Sequence, residues 1–192
     1  MEACRLAARD LACRRGDMLL FRALDLDLSP GEALRLTGPN GCGKSSLIRI
    51  LSGLMRPFGG KVERAGMVAL LDERPALDEQ APLGKAIAFW ARMDGIAADA
   101  LGQMGLGELT DVPVRYLSTG QRKRAAFARL IGQQAPIWLL DEPLNGLDND
   151  ATSSVEALVE GHCQSGGIAV IASHQSFAAQ GVRSLHIPDF SA

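Results

Sequence analysis

The period of the apolar positions changes several times along the chain, and each change marks an element. Glu32-Ala-Leu-Arg-Leu-Thr37 alternates apolar and polar residues, which predicts a strand. Ser45-Ser46-Leu47-Ile48-Arg49-Ile50-Leu51 carries its apolar residues at helical spacing instead. Pro136-Ile137-Trp138-Leu139-Leu140 is a short continuous apolar run, the pattern of a strand covered on both faces of a parallel sheet. Residues 3–37 read as several short strands, with turns at Arg15-Gly16-Asp17 and Ser29-Pro30-Gly31. Residues 76–131 are Ala-rich and helical in character. Residues 135–141, 167–173 and 183–187 read as strands, with Asp148–Glu160 helical between the first two. The pattern predicts an α/β fold in one domain, 1–192. Its parallel-sheet core takes in about 1–74 and 132–192, and a small helical subdomain is inserted at about 75–131.

Composition narrows the function classes. The chain has 192 residues, 47% hydrophobic and 22% charged, which is ordinary for a globular domain. Its apolar stretches fall well short of the ~20 residues that cross a bilayer, and the start, with Glu2 and Asp10, does not read as a signal peptide. A net charge of −2 with no wider basic surface argues against a nucleic-acid partner. Arg122-Lys123-Arg124 and Arg129 then read as the solvated face of a helix. Cys4, Cys13, Cys42 and Cys163 show no C-x-x-C spacing, and the three histidines form no ligand cluster with them. Reduced, mainly structural thiols are expected.

Between the first strand and the first helix stands Gly38-Pro39-Asn40-Gly41-Cys42-Gly43-Lys44-Ser45, followed by Ser46. This fits G-x-x-x-x-G-K-[ST] in the strand–turn–helix setting that the motif requires. The glycines let the backbone approach phosphate oxygens, and the N–H groups converge at the positive end of the helix. Lys44 is expected to reach the β- and γ-phosphates of a nucleoside triphosphate, and the Ser45 hydroxyl to ligate Mg2+. A dinucleotide fingerprint starting at Gly41 would need glycine where Ser46 stands. Cys42 lies inside the loop at a helix N-terminus, a place that favours a thiolate.

The apolar run 136–140 ends in Asp141 and Glu142, so both acids fall at the carboxyl end of a strand, where open α/β sheets bind ligands. Asp141 is placed to hold magnesium, and Glu142 to polarise the attacking water. Phosphoryl transfer depends on such positioning and charge stabilisation. Ahead of them, Leu117-Ser118-Thr119-Gly120-Gln121 opens a helix with Ser118 as N-cap. This is a second anion-binding helix start, more than one nucleotide needs. A head-to-tail dimer, in which Ser118 and Gly120 cap the γ-phosphate held by the other copy, uses both.

With these residues in view, the chain resembles an ABC-transporter ATP-binding subunit. Gly38–Ser45 resembles the Walker A loop, Leu117–Gln121 the signature, Leu139–Glu142 Walker B, Leu144–Asp148 the D-loop and Ala172-Ser173-His174 the switch histidine. The motifs occur in family order over nearly the whole chain. The resemblance implies a P-loop NTPase core with an N-terminal antiparallel β portion and a helical subdomain. It implies ATP and Mg2+ as ligands, a homodimer of ATPase subunits, and separate integral membrane subunits. It places His174 on the γ-phosphate, as a catalytic residue beside Glu142 and Lys44, and gives the signature residues Ser118, Gly120 and Gln121 a share in nucleotide binding.

Three positions depart from the family pattern. Thr119 replaces a usual glycine. Arg74 stands where a glutamine touching magnesium is expected, with Gln80 the nearest real one. Cys13-Arg14-Arg15 occupies the place of an aromatic adenine platform, where Arg14 or Arg15 can stack on a base. Leu51–Pro57, Ala88-Phe89-Trp90, Ser173-His174-Gln175 and the short chain further resemble the haem exporter ATP-binding family of cytochrome c maturation. That resemblance implies a peripheral subunit on the cytoplasmic face of the bacterial inner membrane. The alternatives are another small exporter of lipid, peptide or metal, or a non-transport ATPase of the same superfamily.

Overall fold

The computed structural model describes residues 4–72, 76–94, 100–177 and 181–191. It opens on a hairpin of β1 (Arg5–Arg15) and β2 (Met18–Leu28), joined by the two-residue turn Gly16-Asp17. β4 (Gly59–Ala65) pairs with the other edge of β1, giving a three-stranded antiparallel sheet in the order β2-β1-β4. A second sheet of five parallel strands has the order β5-β6-β7-β3-β8. Its members are β3 (Ala33–Thr37), β5 (Val68–Leu71), β6 (Ile137–Asp141), β7 (Ile168–Ala172) and β8 (Val182–His186). The expected fold class, with its antiparallel β portion, is observed. β4 and β5 are strands that the periodicity did not reveal.

The turn between the sheets follows directly from its residues. Pro30 and Gly31 occupy the two central positions, Gly31 has φ +89°, and the Glu32 N–H donates to Ser29 O at 3.1 Å. A turn with positive φ at its third residue favours glycine there and proline just before it. The Glu32 carboxylate also accepts from the Ser29 N–H at 2.7 Å.

Side chains alternate strictly across the parallel sheet. Leu34, Leu36, Ile137, Leu139, Ile168 and Val170 face one core, shared with Leu47, Ile48, Ile50 and Leu51 of α1 (Lys44–Ser52) and with the antiparallel sheet. Ala33, Trp138, Leu140, Ala169 and Ile171 face the other, shared with α4 (Thr119–Gly132) and α5 (Asn149–Gln164). Every residue of β6 and β7 is buried, which is why the two segments read as unbroken apolar runs. Each fully buried Leu or Ile there contributes about 1.5–3 kcal/mol. α1 stops at Gly53, φ +85°, and the Arg64 guanidinium donates to the Ile50 carbonyl at 2.7 Å.

Among the described residues of the Ala-rich stretch, α2 (Leu83–Asp94), the short α3 (Ala100–Gln103) and two single 3-10 turns precede α4. α2 and α3 both pack on α4. Arg129 of α4 lies over the Trp90 ring of α2, 3.7 Å from its centroid, and the Trp90 indole donates to Ala76 O at 2.6 Å. α4 therefore touches the parallel sheet on one side and the preceding helices on the other. α5 begins one residue after Asp148, which serves as its N-cap by accepting from the Ala151 N–H at 2.8 Å.

Candidate active site

β3 ends in the glycine loop, and the loop ends in α1. Gly43, with φ +113°, occupies the N-cap of α1 and contributes no side-chain cap. The first N–H groups of α1 are thus left for an anion. A Cβ at Gly43 would stand 3.1 Å from the Phe21 ring, so the loop is also pressed onto the antiparallel sheet. Lys44 is buried, and its ammonium arches back over the loop to Gly38 O at 2.7 Å and Pro39 O at 3.1 Å.

β6 and β7 bring in the carboxylates and the imidazole. Asp141 pairs in register with Ala172, so the residues just after each strand are neighbours. Asp141 is buried, and its Oδ1 accepts from Ser45 Oγ at 3.0 Å. Glu142 follows with φ +46°, a conformation unusual for a residue with a side chain and costing about 1–3 kcal/mol. Three bonds to its backbone hold it: its N–H donates to Ala172 O at 2.8 Å, and its carbonyl accepts from Lys123 Nζ at 3.0 Å and from the Asn145 N–H at 3.4 Å. Its Oε2 lies 2.9 Å from Nδ1 of His174, a ring just over half exposed, while the Glu142 side chain is 12% exposed.

Asn40, Gly41, Gly43, Lys44, Ser45, Ser46, Glu142 and His174 all line one cavity of about 370 Å³, with Arg15, Leu20 and Asn145 completing its wall. A larger cavity, about 890 Å³, opens beside the start of β6 between Met67, Trp138 and His162. It is mainly apolar, and no carboxylate, lysine or arginine lines it. Chemistry, not size, marks the site.

The pair Ser45–Asp141 fits a magnesium ion, because a hydroxyl and a carboxylate already converge within 3.0 Å. Among the described residues no group of three His, Cys, Asp or Glu side chains could hold a metal. Magnesium is bound through one or two protein ligands, with phosphate oxygens and water supplying the rest.

Other expected residues lie elsewhere. Ser118 and Gln121 cap α4 reciprocally: Ser118 Oγ accepts from the Gln121 N–H at 3.2 Å, and Gln121 Oε1 from the Ser118 N–H at 2.8 Å. Neither they nor Gly120 line the cavity of their own chain. Gly120 instead abuts the loop after Glu142, since a Cβ on it would meet Gly146 O at 3.2 Å. The Cys42 sulfur turns behind the loop, and a Cβ at Gly38 would stand 2.8 Å from both it and Pro188 Cδ. Of the two arginines considered for the base, Arg15 lines the cavity, whereas Arg14 lies over Phe58 with Cζ 4.6 Å from the ring centroid. Gln80 does not reach the cavity and is hydrogen-bonded to Arg115. Arg74 lies outside the described residues.

The basic run on α4 requires a correction. Arg122–Arg124 is not a solvated face, because each side chain grips a backbone carbonyl of a different segment. Arg122 donates to Arg115 O at 2.6 Å and to Leu117 O at 3.2 Å, Arg124 to Met104 O at 3.2 Å, and buried Lys123 to Glu142 O. Asn145 was also missed as a wall residue; its place three positions after Glu142 was the available signal.

A phosphate loop, a strand-end carboxylate pair and an imidazole around one cavity, on this pair of sheets, define the nucleotide-hydrolysing subunit of an ATP-binding cassette transporter. The family model for ABC transporters matches residues 21–145. The chain is 58% identical over 190 residues to the cytochrome c biogenesis ATP-binding export protein CcmA of Novosphingobium aromaticivorans, covering 99% of both chains. It is 48% identical over 191 residues to the protein of the same name from Zymomonas mobilis, covering 98% of this chain and 86% of the other. Among solved structures, an ABC transporter ATP-binding protein from Pyrococcus furiosus superposes with a TM-score of 0.85 over 98% of this chain and all of its own, at 22% identity. The chain belongs to the ABC transporter family and, within it, to the cytochrome c biogenesis ATP-binding export proteins.

Proposed function

We propose that this chain is the ATP-hydrolysing subunit of the haem exporter of cytochrome c biogenesis, working as a head-to-tail dimer against integral membrane subunits at the cytoplasmic face of the inner membrane. One observation carries the nucleotide chemistry: Lys44, Ser45, Glu142 and His174 surround a single cavity, although they come from three separate parts of the chain. The names of the relatives at 58% and 48% identity carry the assignment to cytochrome c biogenesis. No helix of the described residues is long and apolar enough to cross a membrane, so the translocation path is assigned to partner subunits.

In this reading the loop N–H groups and Lys44 bind the β- and γ-phosphates, leaving behind the Gly38 and Pro39 carbonyls that Lys44 holds in the structure. Ser45 and Asp141 would hold magnesium, which when bound neutralises charge on the phosphate oxygens. Arg15 lies under the base. Glu142 orients a water and takes its proton as the oxygen attacks the γ-phosphorus and the bond to the β-phosphate oxygen breaks, giving ADP and phosphate. His174 reads the γ-phosphate and, through its contact with Glu142 at 2.9 Å, reports its presence to the carboxylate. Ser118 and Gly120 stand away from their own cavity, as a cap for the partner's nucleotide requires. ATP then closes the dimer because it binds the closed state better than the open one, and hydrolysis reopens it. The helical stretch 75–131 would carry this motion to the membrane subunits.

The test is a haem-stained gel of c-type cytochromes from cells carrying Lys44→Ala at the native locus. Loss of covalently attached haem, restored by the wild-type copy, is expected. Normal cytochromes would remove the biogenesis assignment and move the search to another exported cargo.

A further inference from the structure

We propose that Lys123 is a positioning residue for Glu142, through which the signature helix α4 sets the aim of the catalytic carboxylate. Lys123 sits in the second turn of α4, near its positive end, where the helix dipole disfavours a cation. It is also only 9% exposed, and a buried ammonium is costly unless it is hydrogen-bonded. It donates to the backbone carbonyl of Glu142 at 3.0 Å, a charge-assisted bond.

That carbonyl belongs to the most constrained peptide of the site. Glu142 has φ +46°, and Pro143 follows it, which narrows the conformations open to Glu142 further. The Glu142 N–H is fixed on β7 through Ala172 O at 2.8 Å. With the N–H end anchored to the sheet, the carbonyl end decides how the residue is turned, and so where the carboxylate points. Two donors hold this end: Lys123 Nζ from α4 at 3.0 Å and, at the longer distance of 3.4 Å, the Asn145 N–H of the loop that follows. Gly120 and Thr119 press the start of the same helix against Gly146, so the helix and the loop after Glu142 touch at two places. α4 is in turn tied to the helices before it, by Arg124 on Met104 O and by Arg129 over Trp90. A displacement of α2 or α3 therefore moves α4, and Lys123 delivers that movement to Glu142.

The inference rests on Glu142 acting as the base, so the experiment separates the two. ATPase rates are measured on the complex purified through a tag on the full-length chain, for Lys123→Met, Lys123→Arg, Glu142→Gln and Lys123→Met/Glu142→Gln. Lys123→Met should lower kcat about tenfold or more while KM for ATP and the thermal shift caused by ATP stay within about twofold. Lys123→Arg, which can still donate to the carbonyl, should restore most of the rate. In the Glu142→Gln background, Lys123→Met should cost nothing further, because its target is already disabled. Normal hydrolysis by Glu142→Gln would overturn the base assignment itself. An inactive Glu142→Gln with unchanged kcat in Lys123→Met, or with KM rising in step as kcat falls, would overturn the positioning role alone. If Lys123→Met shows no cooperative melting, Lys123→Gln is held to the same outcomes.

Discussion

His174 Nδ1 and Glu142 Oε2 stand 2.9 Å apart because the two residues follow strands that are paired to their ends, Asp141 against Ala172. The carboxylate is nearly enclosed while the imidazole is half open to the cavity. Both side chains line the same cavity, the imidazole as its more open partner and the carboxylate as its more enclosed one. Glu142→Gln keeps the side-chain length and loses the proton acceptor. Hydrolysis should fall about a hundredfold or more, the range general-base groups supply, while ATP binding persists and a closed dimer accumulates. Size-exclusion chromatography with and without ATP checks this; a monomeric variant turning over at the wild-type rate refutes it.

Lys44 is buried and satisfied by two loop carbonyls before any nucleotide arrives. Replacing it with alanine removes the charge that answers the phosphates and loosens the loop. ATP at a hundred times its Kd would stabilise the wild type by about 2.7 kcal/mol. Lys44→Ala should show almost none of that shift in a melting experiment. An undiminished shift would mean that the phosphates bind elsewhere.

Burial pushes the Cys163 thiol up to about 11 and also raises the Cys4 and Cys13 thiols, so these three stay protonated and unreactive near neutral pH. Cys42 is half-buried. A maleimide at neutral pH should therefore attach first at Cys42. The adduct would push against Gly38, beside which the sulfur lies, and ATPase activity should vanish. Prior ATP should protect by holding the loop in place. Full activity after stoichiometric modification of Cys42 would refute this.

His162 stacks on Trp138, ring centroids 3.9 Å apart and planes within 8°, and burial lowers its pKa below the ordinary histidine value. The unfolded chain therefore takes up a proton at a higher pH than the folded one. Stability from neutral His162 is complete above about pH 6.5 and is lost as pH falls below it, with a slope approaching about 1.4 kcal/mol per pH unit. Urea unfolding at pH 7 and pH 5 should show the loss, and His162→Phe should flatten it. An equal loss in the variant would assign the effect to other groups.

The site was legible where chemistry restricts residue type. The phosphate loop, Asp141 and Glu142, and His174 each stand at the end of a parallel strand and line or adjoin one cavity, as their spacing implied. The edges of the fold were less legible. β4 buries no residue fully, with Gly59 and Val62 its only half-buried positions, so its seven residues carry almost no apolar signal. Residues 76–131 gave a helical composition but not the non-helical backbone pairing within it, such as the Pro82–Pro113 bridge. The basic run was misread for a related reason. Nothing in Arg122-Lys123-Arg124 shows that carbonyls from residues 104, 115, 117 and 142 will arrive around it.

The strand order carries a consequence for how the protein is made. β3 delivers the phosphate loop, yet its two neighbours in the sheet are β7 and β8, so that Ala33 pairs with Ala169 on one side and Val182 on the other. Pro188, packed behind Gly38, comes later still. During synthesis the loop is among the first segments to leave the ribosome, but the strands that flank it are among the last. Such distant pairings form slowly, and the unpaired β3 and its apolar face are exposed in the meantime. Nucleotide binding is therefore a property the nascent chain acquires only when its final strands have docked, and a stalled or clipped chain lacking them would carry the whole phosphate motif without a working site.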